Sequence, residues 1–281
     1  MAESDFYPNP MRIALLGAGT IARLTLEHLG RGVLPGVEVV AIAGRSASSR
    51  GVELAQKHSV PFVVGREALL RLRPRAVLEA ASHEAVREHL VPLLESGASV
   101  TVMSAGALAD RTLHQAAEQA ARISGALLYV PSGGIGGLDA LKAACVAGVD
   151  EVGIRVAKPP KAWKGIAFVE RLGVDLDGLS QPHTLFAGVA RDGVPHFPQN
   201  VNIAAVLSLA GIGFDRTQLE VVADPALTHN THTIRVSGRT GRFTVVLENV
   251  PSPDNPKTAW LACYSALAAL RSMVAPARYG T

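Results

Sequence analysis

Apolar and polar positions alternate along the first half of the chain in a strand–helix rhythm. Met11 to Leu16 (MRIALL) is a short apolar run that ends in Gly17-Ala18-Gly19. Thr20 to Leu29 then places Ile21, Leu24, Leu26 and Leu29 at helical spacing, so the pattern predicts strand, glycine turn, helix. Strands follow at Val37 to Ala43, Pro61 to Val64, Ala76 to Ala80, Ser99 to Met103 and Ala126 to Val130. Helical patterns separate most of them at Ser49 to His58, Ser82 to Glu95 (with Ser82 as cap) and Asp110 to Arg122. Such alternation implies parallel βαβ units.

The rhythm changes after the glycine-rich stretch Pro131-Ser132-Gly133-Gly134-Ile135-Gly136-Gly137 and the alanine-rich helical run beyond it. Glu151 to Ala157, Thr184 to Ala190, Leu219 to Ala223, His232 to Ser237 and Phe243 to Leu247 read as strands, mostly without helices between them. Gly238-Arg239-Thr240-Gly241 reads as a hairpin turn, Phe197 to Gly211 as a helix, and Lys257 to Met273 as a long closing helix. The expected fold class is α/β: a Rossmann-type parallel sheet domain plus a smaller α+β domain with a mostly antiparallel sheet. The boundaries fall at residues 1–131 for the first domain and 132–251 for the second.

Composition removes several function classes. A chain of 281 residues suits two modest domains. The net charge of +3 is small and the arginines are scattered among few aromatics, which argues against nucleic acid as partner and suits a small anionic metabolite. No apolar run reaches the roughly 20 residues of a membrane helix, and MAESDFYPNP has no signal pattern, so a cytoplasmic protein with a short polar leader is expected. Cys145 and Cys263 sit in Ala/Leu-rich surroundings and read as small buried thiols. No His, Cys or carboxylate set has metal-ligand spacing, so no metal is expected.

Gly17-Ala18-Gly19-Thr20-Ile21-Ala22 is the G-x-G-x-x-A form of the dinucleotide fingerprint. The first glycine allows the sharp turn, the second lets a pyrophosphate meet backbone, and Ala22 keeps helix close to strand. The helix N-terminus offers N–H groups and positive dipole to phosphate. NAD enzymes place Asp or Glu at the end of the second strand; this chain has Gly44-Arg45-Ser46, which favours a 2′-phosphate and hence NADP at least as much as NAD.

Histidines are the candidates for proton transfer. His28, His58, His89 and His114 fall on or beside predicted helices and read as surface groups, whereas His83 follows the fourth strand, at the carboxyl edge where nicotinamide lies in such folds. Polar groups are concentrated in Ala223-Asp224-Pro225-Ala226-Leu227-Thr228-His229-Asn230-Thr231-His232. His229 lies on that loop and His232 starts a strand; spacing leaves either as the acid or base. Lys158-Pro159-Pro160-Lys161-Ala162-Trp163-Lys164 either faces a dicarboxylate or is a solvated loop. Asn200 and Asn202 open the predicted 197–211 helix, as a cap or as amides for substrate or nicotinamide.

Together these motifs resemble the L-aspartate dehydrogenase family. The matching stretches are GAGTIA (17–22), SAGALAD (104–110), PSGGIGGLDALKAA (131–144), KPPKAW (158–163), FPQNVNIAA (197–205), ADP with NTHTI (223–234), and PSPDNPKT with YSALAALRS (251–272). The resemblance implies NAD- or NADP-dependent oxidation of L-aspartate to iminoaspartate, which hydrolyses to oxaloacetate and ammonia or feeds NAD biosynthesis. It implies that the closing helix, 252–275, returns to the nucleotide domain and that the histidine after Asn230, His232, is the catalytic group. The cofactor contacts it implies are Gly17, Gly19, Thr20, Ile21, Arg45, Ser46, Ala81, Gly134, Asn200 and Asn202; Lys158, His229 and Asn230 would face substrate. Many members have alanine where this chain has Gly134, a change that keeps backbone contact. A homodimer is expected on general grounds. Two rival readings use the same layout: an NADPH-dependent imine reductase resembling dihydrodipicolinate reductases, and a non-catalytic nucleotide sensor.

Overall fold

In the computed structural model, residues 9–279 are described, apart from 48, 199 and 254. The chain forms two compact units, one ending at Pro131 and including Cys263–Tyr279, the other Ser132–Ala262.

The first unit is built on β1 (Met11–Leu16), α1 (Thr20–Gly30), β2 (Val37–Gly44), α2 (Ser49–Lys57), β3 (Phe62–Val64), α3 (Arg66–Arg71), β4 (Ala76–Glu79), α4 (His83–Glu95), β5 (Ser99–Val102), α5 (Arg111–Ser124) and β6 (Leu128–Tyr129). All six strands are parallel in the order β3-β2-β1-β4-β5-β6. That is the doubly wound dinucleotide-fold order, which brings the carboxyl ends of β1 and β4 side by side. Helix starts follow capping chemistry: Ser82 Oγ accepts from the Ala85 N–H at 3.2 Å, and Asp110 Oδ1 accepts from Thr112 and Leu113 N–H at 2.9 and 3.1 Å. The core is the apolar strand set Ile13, Leu15, Ile42 and Leu78, closed by Ala266, Leu267 and Leu270 from the final helix. His89 of α4 is buried rather than on the surface, because its helix packs that face inward beside Leu90 and Leu93.

The second unit contains α6 (Leu138–Ala147), β7 (Val149–Lys158), α7 (Ala167–Arg171), β8 (His183–Val189), α8 (Ala190–Gly193), α9 (Asn202–Ala210), β9 (Thr217–Ala223), β10 (Asn230–Gly238), β11 (Gly241–Asn249), β12 (Pro251–Ser252) and β13 (Asn255–Ala259). Its main sheet runs β11-β10-β7-β9-β8, antiparallel except for β7 and β9. Gly238 pairs with Gly241, so Arg239-Thr240 form the two-residue turn of the expected hairpin.

Two expected helices are shorter than their patterns suggest. The one read over 197–211 begins at Asn202, since Phe197 and Val201 are buried and Val194–His196 forms a 3-10 turn before it. Neither Asn200 nor Asn202 is its cap; Val201 stands there without a side-chain cap bond. The closing helix, α10 (Trp260–Val274), starts after β13, because residues 255–259 pair back on Pro251–Ser252 and the Trp260 N–H bonds the Val250 carbonyl at 2.9 Å. Cys263 is buried as expected, but Cys145 on α6 is only half-buried.

Candidate active site

The nucleotide loop lies in the first unit. Gly17 has φ +108°, and a Cβ there would come 2.8 Å from the Ala80 carbonyl oxygen and 3.0 Å from Ala81 Cβ. The backbone therefore passes directly over the end of β4, too close to it for any side chain. Gly19 caps α1 without any side-chain bond to the first turn, so the helix start presents N–H groups to an anion. Both features fit a dinucleotide pyrophosphate held by Gly17, Gly19, Thr20 and Ile21. Gly17→Ala is expected to lower the melting temperature and weaken NAD(P) binding at least about tenfold in a titration, since strain of about 1–3 kcal/mol adds to the overlap. Unchanged binding would argue against this turn as the pyrophosphate site.

Beside this loop sits a residue that no motif signalled. Glu79, 1% exposed at the end of β4, accepts from the Ala81, Ser82 and Ser104 N–H groups and from the Ser104 hydroxyl at 2.8–3.1 Å. Burial pushes its carboxyl up, and the four bonds oppose that shift. Its one sequence signal is an acid inside a four-residue buried strand. The Ala81 N–H is thus already used within the unit. His83 opens α4 and is buried, while Arg45 and Ser46 follow β2 on the exposed turn.

The second unit gathers the titratable candidates at one end of three adjacent strands. In β10, Asn230, His232, Ile234 and Val236 are buried in alternation, so they share one face. His232 pairs with Val156 on β7 and with Leu247 on β11, and Asn230 pairs with Asn249. Lys158 lies two residues beyond Val156 and so on the same face as it. An otherwise apolar row thus ends in Asn230, His232, Asn249 and Lys158, every one buried.

His232 is 2% exposed. Its Nδ1 is 3.1 Å from the Gly134 carbonyl oxygen, to which it donates, and Nε2 is buried without a hydrogen-bond partner among the described residues. Burial pushes its pKa down to about 4; the Gly134 carbonyl pulls the other way, and the Lys158 charge adds the smallest push, downward. The ring is therefore neutral at physiological pH with an open lone pair. Asn249 Nδ2 donates to the same Gly134 oxygen at 2.9 Å. Nothing in the sequence beyond an asparagine at a strand end points to Asn249.

Lys158 is not part of a solvated loop. It is 2% exposed, donates from Nζ to Asn200 Oδ1 at 2.9 Å and lies 5.0 Å from the centre of the Trp163 ring. Trp163 is anchored through Nε1 to the Val222 carbonyl at 3.0 Å. No carboxylate pairs with Lys158 among the described residues, and burial pushes its pKa down to about 7. Lys161 and Lys164 of the same motif are exposed, and Lys164 pairs with Asp177. His229 is exposed on the loop before β10 and touches Thr228, so the structure separates it from the His232 group. Asn202, half-buried, is the first residue of α9. No metal-binding cluster occurs among the described residues.

Residues 139–273 match the model of the aspartate dehydrogenase C-terminal family. An L-aspartate dehydrogenase of Methanocella arvoryzae is 40% identical over 270 residues, 96% of this chain and 99% of that one. The chain belongs to the aspartate dehydrogenase family. L-aspartate dehydrogenase 2 of Bordetella pertussis is 41% identical over 94% of this chain and 97% of its own. Residues 17–131 match the model of the homoserine dehydrogenase NAD-binding domain. The crystal structure of aspartate dehydrogenase from Thermotoga maritima superposes with a TM-score of 0.74 at 28% identity, covering 96% of this chain and 99% of that one. The His232 and Lys158 groups both fall inside the family's C-terminal region. No helix among the described residues is long and apolar enough to cross a membrane.

Proposed function

We propose that the protein oxidises L-aspartate to iminoaspartate with a pyridine nucleotide, using His232 as proton acceptor and Lys158 as the cation for a substrate carboxylate. The observation that carries this reading is the pair of buried groups at one end of one sheet face: a neutral imidazole with an open Nε2 and an ammonium, neither of which meets a carboxylate among the described residues. The nucleotide, held by Gly17, Gly19, Thr20 and Ile21, supplies the two-electron acceptor when bound.

The protein's residues have two tasks. Aspartate arrives as an ammonium, and the bond at its Cα can be broken oxidatively only once the amine is neutral. His232 Nε2 takes that proton, releases it to solvent, and is then free to take one from the water that adds to the imine carbon. A ring held near pKa 4 is a weak base in the free protein. A substrate carboxylate beside it raises its basicity, so the proton is accepted only when substrate is in place. Lys158 answers a carboxylate with a charge-assisted bond in a dry setting, where such bonds are strongest. Asn200 orients that ammonium, and Asn230 lines the same face. Gly134 and Asn202 serve as cofactor contacts in this reading, and His229 has no part in the chemistry.

The nucleotide unit, 1–131, prefers NADP at least as much as NAD, supported by an exposed Arg45 and Ser46 where an acidic residue would repel the 2′-phosphate. Aspartate-dependent reduction of NAD and NADP, measured side by side, tests both parts. No aspartate-dependent reduction with either cofactor would end the dehydrogenase reading and favour an imine reductase or sensor. Arg45→Ala is expected to raise KM for NADP about tenfold or more, the worth of one charge-assisted bond, and to leave KM for NAD unchanged. Equal shifts for the two cofactors would remove the 2′-phosphate role.

A further inference from the structure

Asn249 belongs to none of the motifs that mark this family in the sequence, yet its amide closes a triangle with the proposed base. Nδ2 lies 2.9 Å from the Gly134 oxygen and 3.1 Å from His232 Nδ1, which is itself 3.1 Å from that oxygen. The carbonyl has two lone pairs and meets two donors. Turning the amide over would set Oδ1 against the Gly134 oxygen, so the NH2 group must face it. Nδ1 faces the same oxygen, which can only accept: as Nδ1–H it donates there, whereas the other tautomer, with Nδ1 accepting from the second amide hydrogen, would set the ring lone pair against the carbonyl oxygen 3.1 Å away.

We propose that Asn249 is a positioning residue for the reaction: it anchors the Gly134 carbonyl and shields the Nδ1 side of the ring, so that His232 keeps its proton on Nδ1 and offers the Nε2 lone pair. The proposal rests on His232 being the proton acceptor. A neutral amide at this place is itself informative. A carboxylate there would stabilise an imidazolium, as an acidic neighbour does for any histidine. The amide's hydrogens do the opposite. Among the described side chains Lys158 is the charged group that acts on the ring, and it pushes the same way. Glu248, next to Asn249 on β11, is exposed, and Arg155 on β7 pairs with Glu220. The Gly134 turn admits little else: a Cβ on Gly134 would sit 3.2 Å from Ala259 Cβ and 3.6 Å from His232 Cε1. The ring, the turn and the amide are therefore packed as one unit, and among the described residues Asn249 is its side-chain donor besides the histidine.

The test is long-range 1H–15N correlation on 15N-histidine protein, with His232 assigned by loss of its signals in His232→Ala, alongside steady-state kinetics. Wild type is expected to show one neutral Nδ1–H tautomer at pH 7. Asn249→Ala should show both tautomers and a kcat about ten- to a hundredfold lower with KM for NADP unchanged, as for a loosened catalytic group. Asn249→Asp should move the acidic limb of the kcat/KM profile upward by a unit or more. A single unchanged tautomer in Asn249→Ala overturns the proposal whether or not turnover falls, because the amide then only packs. If Asn249→Ala does not fold, Asn249→Ser, which keeps one donor, carries the same readouts and should fall between it and wild type. Normal turnover in His232→Ala would remove the base reading, while the tautomer spectrum would still decide what Asn249 does.

Discussion

His232→Ala is expected to lower kcat at least about 100-fold, the smaller end of what loss of a positioned general base removes, while NADP binding persists. Nε2 is the buried ring atom left without a partner, on a ring otherwise tied to Gly134 and beside Asn249. His58 Nε2 and His89 Nδ1 are likewise buried without a partner among the described residues, so what sets His232 apart is its place beside Asn230, Asn249 and Lys158 at the end of one sheet face. Removing the ring should therefore lower activity far more than stability. Because the ring is neutral above about pH 4, the variant should be equally impaired across the whole neutral range. Near-normal turnover would move the base role to His229, against its exposed position on the loop.

Lys158→Met is expected to lower kcat/KM for aspartate about a hundredfold and at the same time to stabilise the fold at pH 7. The first effect is the loss of a buried charge that meets the substrate, typically about 2–5 kcal/mol. The second follows from linkage. The unfolded chain holds the lysine proton up to the ordinary value of 10.5, whereas the folded chain releases it near 7. Between those values the unfolded state binds more protons, so stability rises with pH across that window and the full penalty is present below it. At roughly 1.4 kcal/mol per pKa unit the penalty is a few kcal/mol. Methionine removes it and leaves Asn200 Oδ1 without its donor, an offset of about 1–3 kcal/mol. The net result is a melting temperature a few degrees higher at pH 7, with the advantage fading toward pH 10. A variant that melts lower at pH 7 and keeps its KM for aspartate would contradict both parts. Such a trade of stability for function is common where a site needs a buried charge.

Much of this was legible along the chain. The parallel sheet announces itself because buried strands such as IALL and the AVL of β4 are apolar on both faces and alternate with helical periods. The hairpin at Gly238–Gly241 and the Ser82 cap are local chemistry, and each appears where its residues predict; Asp110, read as the first helical residue, is the cap of α5. The shortened helices at 202 and 260 are where local pattern loses. Backbone pairing between β12 and β13 decides where α10 begins, and no helical period reports that competition.

By itself the sequence determined the glycine loop, the fold class and a short set of candidates for proton and charge chemistry, because these depend on residue type and short spacing. Only the tertiary structure decided what those residues are. His232 and His229 are three residues apart and chemically alike. Alternation in β10 buries one against Gly134 and leaves the other on the loop. Lys158, Lys161 and Lys164 share one motif, but of the three Lys158 ends a buried strand, where desolvation pushes its pKa down. Asn249 and Glu79 gain their roles from partners 115 and 25 residues away, Gly134 and Ser104. Burial and long-range pairing set protonation, and neither is encoded in any window of sequence short enough to read.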